Sequence, residues 1–91
     1  MTSEIKLGSV VFSTAGRDSG RFYVVVEIVD DKFVKIADGD LRRIATPKIK
    51  KIKHVKYQGE IIEKISEKLE EGKKVFDAEI KSALRAYNGS I

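Results

Sequence analysis

Hydrophobic residues in the first 57 positions come in short runs that glycine and aspartate separate. The runs are rich in valine, isoleucine and aromatic residues and predict five β-strands, over 9–13, 21–29, 33–37, 41–45 and 52–57. Two glycines and an aspartate in the segment 14–20 are typical of a structured loop, and 30–32 is short enough for a hairpin turn. Asp38-Gly39 predicts a type I′ turn before the fourth strand.

Five short strands joined by tight turns favour a small, partly open β-barrel over a sandwich. Closing the sheet on itself would remove most of its exposed edges. The strand 21–29 is almost continuously apolar, as expected of a strand that bends across a barrel and serves two faces. Pro47 has no N–H for a ladder, so it separates the fourth strand from the fifth.

Beyond residue 59 the hydrophobic spacing changes to that of α-helices. One apolar stripe comprises Ile61, Ile62, Ile65 and Leu69. Gly72 is a stop signal for this helix. A second helix is predicted over 77–87, with Asp77 as its N-cap and Phe76 as a hydrophobic staple over its first turn. The pattern therefore predicts a mainly β fold with a C-terminal α part.

The length of 91 residues fits one small domain, divided into a barrel over 1–59 and a two-helix extension over 60–91 that packs on or beside it. The chain contains no cysteine, which excludes disulfides and thiolate metal sites. The longest apolar run, 22–26, is far shorter than the ~20 residues that span a bilayer. Since the first six residues do not resemble a signal peptide, we expect a cytoplasmic protein with no membrane partner.

Positive charge is concentrated in the first part of the chain. The net charge is +4, and the stretch 42–56 contains seven basic residues and no acid. Such a stretch repels itself unless it is solvated or faces an anion. Two interpretations stay open: lysines that protect an edge strand from aggregation, or a face that binds a polyanion.

Short motifs in residues 6–57 resemble the KOW family of RNA-binding proteins. In chain order they are Gly16-Arg17-Asp18-Ser19-Gly20-Arg21, Val24-Val25-Val26, Val34-Lys35-Ile36-Ala37-Asp38-Gly39-Asp40-Leu41-Arg42-Arg43, Pro47-Lys48-Ile49-Lys50 and Lys53-His54-Val55. The last two are similar to segments of archaeal and eukaryotic large-subunit ribosomal proteins. The resemblance implies an SH3-like five-stranded barrel that binds RNA, and small bacterial stand-alone proteins of this type are also described as RNA-binding. Phe22 and Tyr23 stand where many KOW motifs have a second glycine, which fits the ribosomal branch, and the helices lie outside the motif.

The loop that carries the first motif has the residue types of a phosphate contact. Gly16 and Gly20 permit positive φ and a close approach of another chain. Arg17 and Arg21 flank the turn, where guanidinium groups can bind phosphate oxygens bidentately. We expect the carboxylate of Asp18 to cap N–H groups of the loop. The alternative is a simple turn with two solvated arginines.

The predicted RNA-binding residues come from two separated stretches and are expected to converge on one basic face. They are Arg17, Arg21, Arg42, Arg43, Lys48, Lys50, Lys51 and Lys53. Contacts of this kind set position and affinity rather than sequence preference. Phe22 or Tyr23 would add base stacking if exposed, but aromatic residues of such strands are more often in the core.

The residue types for enzymatic chemistry are sparse. His54 is the only histidine, and the aspartates at 30, 31, 38 and 40 lie at turns, where they favour the backbone geometry. We therefore expect no catalytic residue, metal ion, cofactor or small-molecule substrate. RNA, above all ribosomal RNA, is the expected partner, with ribosomal proteins as a further candidate. The alternative is a protein-interaction module in which the barrel and the helices, through Ile65 and Leu84, dock a partner.

Overall fold

The computed structural model describes residues 5–88, which form five strands followed by helices. The strands are β1 (Ser9–Ser13), β2 (Phe22–Ile28), β3 (Phe33–Ala37), β4 (Lys48–Lys51) and β5 (Val55–Ile61). A 3-10 turn (Ile52–His54) joins β4 to β5, and the helices are α1 (Glu63–Glu70), α2 (Asp77–Ala83) and α3 (Arg85–Asn88). The predicted mainly β fold with C-terminal helices is confirmed. Over the described part of the chain, no helix has the length and apolar character to cross a membrane.

All five strands belong to one antiparallel sheet with the order β4-β3-β2-β1-β5. The edge strands β4 and β5 do not pair with each other within residues 5–88, so the sheet is open and the expected barrel is not confirmed. Register shifts between Ser9 and Val11 and between Val25 and Glu27 mark bulges, which bend strands and increase their twist.

Both faces of the sheet bury apolar side chains. The helices cover one face, where the buried residues are Val10, Val24, Val26, Ala37, Ile65, Val75, Ile80 and Leu84. The buried residues of the other cluster are Ile5, Val11, Tyr23, Val25, Val34, Ile36 and Val55. This second cluster contains no residue of the helices, so strands and their connections enclose it by themselves.

The prediction of a fourth strand over 41–45 is wrong. The carboxylate of Asp38 accepts hydrogen bonds from the backbone N–H groups of Asp40 and Arg42, at 2.9 and 2.8 Å. The N–H of Ile44 donates to Asp77 at 2.7 Å. Because side chains take these backbone donors, the segment forms no ladder, and the fourth strand begins at Lys48 instead.

The Asp38-Gly39 turn is not type I′. A type I′ turn needs positive φ at both central residues. Gly39 has φ of 80°, but among the described residues only glycines have positive φ, so its neighbours do not. The fifth strand begins at Val55, because residues 52–54 form the 3-10 turn.

The ends of the helices match the sequence signals only in part. Gly72, with φ of 72°, follows α1 as predicted. Asp77 is the first residue of α2 rather than its N-cap, and Phe76 occupies the cap position. The predicted staple is wrong, because the Phe76 side chain is 53% exposed and lies under the ammonium of Lys74, which is 5.0 Å from the ring centroid. The second helix is interrupted at Leu84, so it forms α2 and α3.

Candidate nucleic-acid interface

The loop 14–20 between β1 and β2 is fastened to the 3-10 turn. Both the backbone N–H and the hydroxyl of Thr14 donate to the carbonyl of His54, at 2.9 and 3.0 Å. Gly16 and Gly20 have φ of 82° and 85°, in agreement with the sequence prediction. The loop therefore has a defined shape, with its glycines in conformations that other residues rarely adopt.

A group of charged side chains holds this loop in place. The Asp18 carboxylate accepts a hydrogen bond from Arg42 Nε at 2.9 Å and lies 3.8 Å from Lys50 Nζ. The same ammonium donates to the carbonyl of Ala15 at 2.6 Å. Lys50 therefore directs its charge into the protein, toward the loop, whereas Arg42 binds Asp18 through Nε and its side chain is 34% exposed.

The expectation that Asp18 caps N–H groups of the loop is not met, because its carboxylate binds Arg42 and Lys50 instead. These partners lie 24 and 32 positions further along the chain, beyond the reach of any local sequence rule. Arg21 is also paired, since its guanidinium lies 3.3 Å from the buried carboxylate of Asp38. Three of the eight predicted RNA-binding cations are thus paired with two internal carboxylates.

The remaining five predicted cations carry charge that faces outward. Arg17, Arg43, Lys51 and Lys53 are exposed, and Lys48 is half-buried. None of these five forms an ion pair with another residue between positions 5 and 88. We call these five residues the basic face, after their shared charge: Arg17, Arg43, Lys48, Lys51 and Lys53. They do not all project from one side of the sheet, because Lys48 and Lys51 are three positions apart in β4 and strand residues alternate between its two sides.

The 3-10 turn belongs to the basic stretch 42–56. It contacts the loop 14–20 on one side and the β2–β3 turn on the other. On one side, the carbonyl of His54 accepts the hydrogen bonds from Thr14 of the loop. On the other side, the N–H of Ile52 donates to the carbonyl of Lys32, in the turn between β2 and β3, at 2.8 Å. The loop, the 3-10 turn and the β2–β3 turn therefore lie next to one another, and Lys53 is in the middle element.

A depression that sequence reasoning missed opens between the β2–β3 turn and the 3-10 turn. Its cavity volume is about 560 Å³, and it is lined by Asp31, Lys32, Phe33, Lys51, Ile52 and Lys53. Phe33 and Lys51 are opposite each other in the β3–β4 register. In β3, Val34 and Ile36 are buried and Phe33 is only half-buried. The alternation of residues along this strand is the one sequence signal that points to an accessible aromatic ring.

The aromatic residues of β2 are part of the core, as the sequence favoured. Tyr23 is fully buried and donates its hydroxyl to the carbonyl of Asp18 at 3.1 Å. Burial raises the pKa of Tyr23, and the negative charges of Asp18 and Asp38 raise it further. Phe22 packs against the rings of Phe12 and Tyr87, with centroid distances of 4.9 and 5.3 Å. Tyr23 is therefore not available to stack on a base, and Phe22 is half-buried with two rings packed against it.

Outward-facing ammonium and guanidinium groups beside an accessible aromatic ring can bind the phosphates and bases of a nucleic acid. No group of three or more His, Asp or Glu side chains suited to a metal ion occurs within residues 5–88. No protein-family model matches the sequence.

Proposed function

We propose that this chain is a non-catalytic RNA-binding protein of the KOW type that acts at the ribosome or elsewhere in translation. The basic face would contact RNA phosphates, and the loop 14–20 would lie against the RNA backbone. The observation that carries the proposal is the pair of hydrogen-bonded connections, Thr14 to His54 and Ile52 to Lys32, which bring distant cations to neighbouring elements.

In this proposal the sheet is the SH3-like barrel fold of that family, with the cluster around Tyr23 as the barrel interior. Support comes from burial: Val11, Val25, Val34 and Ile36 are all fully buried, although the helices cover only the opposite face. A flat sheet would leave this face in water, so its burial supports strands that curve around it.

The internal ion pairs divide the eight predicted cations into two roles. Arg21, Arg42 and Lys50 hold the loop in position, because their partners Asp18 and Asp38 lie within or next to it. The five residues of the basic face supply the charge for binding. We therefore expect a smaller number of phosphate contacts than the sequence alone predicts.

The salt dependence of RNA binding tests the proposal. Each phosphate contact on a single strand contributes about −0.7 to the slope of log affinity against log salt concentration. Replacing Arg17, Lys51 and Lys53 together by glutamine should make the slope shallower by about 2. The matched control replaces three exposed cations of the helices by glutamine: Lys64, Lys81 and Arg85.

Filter retention at several salt concentrations measures both slopes. We expect the control to bind like the wild-type protein, because its substitutions lie on the helices rather than on the basic face. Absent binding, binding that does not depend on salt, or an equal loss in both variants would contradict the proposal.

The alternative of a protein-interaction module gains no support from the two residues expected to dock a partner. Ile65 and Leu84, the residues expected to dock a partner, are 2% and 1% exposed and pack in the core that the helices share with the sheet. A partner that docks on the helices must use other side chains.

A further inference from the structure

The depression beside the basic face has the dimensions of a ligand site. We call it the Phe33 hollow; its lining is Asp31, Lys32, Phe33, Lys51, Ile52 and Lys53. Its volume of about 560 Å³ lies within the usual range for pockets that hold small organic groups. The hollow includes Lys51 and Lys53 of the basic face, so a ligand there can belong to the same RNA chain.

The walls of the hollow are held by backbone hydrogen bonds. The Asp30 carboxylate accepts from the N–H groups of Lys32 and Phe33, each at 2.8 Å, which shapes the turn. The N–H of Ile52 donates to the Lys32 carbonyl and joins the opposite wall to that turn. The hollow is therefore formed before a ligand arrives, which reduces the entropy lost on binding.

The side chains of the hollow offer three kinds of interaction. Lys32, Lys51 and Lys53 are exposed ammonium groups that form no ion pair within the described part of the chain. Phe33 contributes an aromatic ring to the lining, and the carboxylate of Asp31 can accept hydrogen bonds from amino groups. These groups can bind the phosphate of a nucleotide, the planar ring of its base and the amino group that adenine, guanine and cytosine carry.

We propose that the Phe33 hollow binds one unstacked nucleotide of a single-stranded RNA segment. The base stacks on Phe33, the adjoining phosphates contact the three lysines, and Asp31 accepts from an amino group of the base. This inference rests on the proposed RNA-binding function and adds a preference to it. Paired bases cannot enter, so the hollow selects single strands over duplex, whereas the rest of the basic face binds either.

The experiment compares Phe33→Leu with wild-type protein on a short single-stranded RNA and on a blunt duplex. Leucine keeps the hollow apolar but removes the aromatic face. We expect the affinity for the single strand to fall at least about fivefold and the affinity for the duplex to stay within about twofold. The matched control is Phe76→Leu, which removes an exposed ring from the helical side and should change neither affinity.

A second variant tests the proposed hydrogen bond between Asp31 and an amino group of the base. Asp31→Asn removes the negative charge and replaces one acceptor oxygen by a donor. We expect any preference of the wild-type protein for oligoadenylate or oligocytidylate over oligouridylate to shrink, because adenine and cytosine carry an exocyclic amino group and uracil does not.

The outcomes separate the two proposals. If wild-type protein binds RNA but Phe33→Leu leaves single-strand affinity within about twofold, the hollow does not hold a base, and the RNA-binding proposal stands without it. An equal loss on single strand and duplex also overturns the inference, since it indicates a change in fold or charge rather than lost stacking. If wild-type protein binds neither RNA, both proposals fail.

Discussion

The ammonium of Lys50 lies 3.8 Å from the carboxylate of Asp18, and both side chains are more than nine-tenths buried. Asp18 also binds Arg42, so two cations share one carboxylate. A buried charge that loses its partner is strongly unfavourable, because neither water nor another group replaces the interaction. The stability of the loop therefore depends on Asp18 more than on either cation.

Asp18→Asn should lower the free energy of unfolding by about 2–4 kcal/mol, because it leaves the charge of Lys50 buried without a counterion. Lys50→Met should cost at least about 1 kcal/mol less, since Asp18 keeps Arg42 and methionine fills a similar volume. Urea unfolding followed by circular dichroism measures both. Equal stability of wild type and Asp18→Asn would show that the pair does not hold the loop.

Gly39→Ala should destabilise the protein by at least about 2 kcal/mol. A Cβ at Gly39 would meet the backbone carbonyl of Asp77 and the N–H of Lys81, and φ is 80°. The control is Gly20→Ala, where φ is 85° but no atom lies within 4 Å of the added Cβ. It should lose only about 1–2 kcal/mol, the cost of the backbone conformation. Thermal unfolding compares the two, and a larger loss in the control would contradict the packing of this turn on α2.

Tyr23→Phe should cost about 1–2 kcal/mol near neutral pH, because the buried carbonyl of Asp18 loses its hydroxyl donor. The pKa of Tyr23 is raised above its ordinary value of 10.0 by burial. The contribution of the neutral phenol is thus fully present below pH 10 and is lost as pH rises through the folded-state pKa.

Tyr23→Phe has no phenol to ionise, so its stability does not fall in this way at alkaline pH. The stability difference between wild type and Tyr23→Phe should therefore narrow above about pH 10. Urea unfolding at a series of alkaline pH values measures the difference. A gap that widens with rising pH would show that the phenol ionises more easily in the folded state, contrary to its buried position.

Glu79→Gln should make the unfolding temperature less sensitive to acid. A hydrogen bond from Lys68 at 2.7 Å, with a second from the N–H of Phe76, holds the pKa of Glu79 below its ordinary value of 4.5. The ionised carboxylate therefore contributes stability above pH 4.5, and this contribution is lost as pH falls through the folded-state pKa. Glu67→Gln, at an exposed residue of α1 that forms no ion pair within residues 5–88, is the control and should keep the wild-type acid response.

Local pattern was sufficient for β1 to β3 and for the end of α1, although it did not predict the regular strand β4. The predicted strand 21–29 is β2, Phe22–Ile28, and Gly72 ends α1, because alternation and glycine stops act over a few residues. The segment 41–45 failed for the opposite reason. Its donors bind carboxylates, and one of these belongs to Asp77, which is 33 positions away from Ile44.

In the candidate site, too, local sequence pattern could not predict contacts between residues that are distant along the chain. The sequence indicated a convergence of basic residues but could not tell Lys50, which is buried, from Lys51, which is exposed. Adjacent strand residues point to opposite faces, so whether each side chain is buried or exposed depends on which face the fold covers. The pairing of β3 with β4 also placed Phe33 opposite Lys51, and both residues line the hollow.

The sequence by itself determined the strands β1 to β3, the helical C-terminal part, the loop glycines and the charge of the stretch 42–56, because each depends on residues close together in the chain. Only the tertiary structure decided that the sheet stays open, that Asp18 and Asp38 pair with three cations, and that an aromatic ring lies among exposed lysines. The reason is physical: a charge is paired or free according to its neighbours in space, and most of those neighbours are distant along the chain.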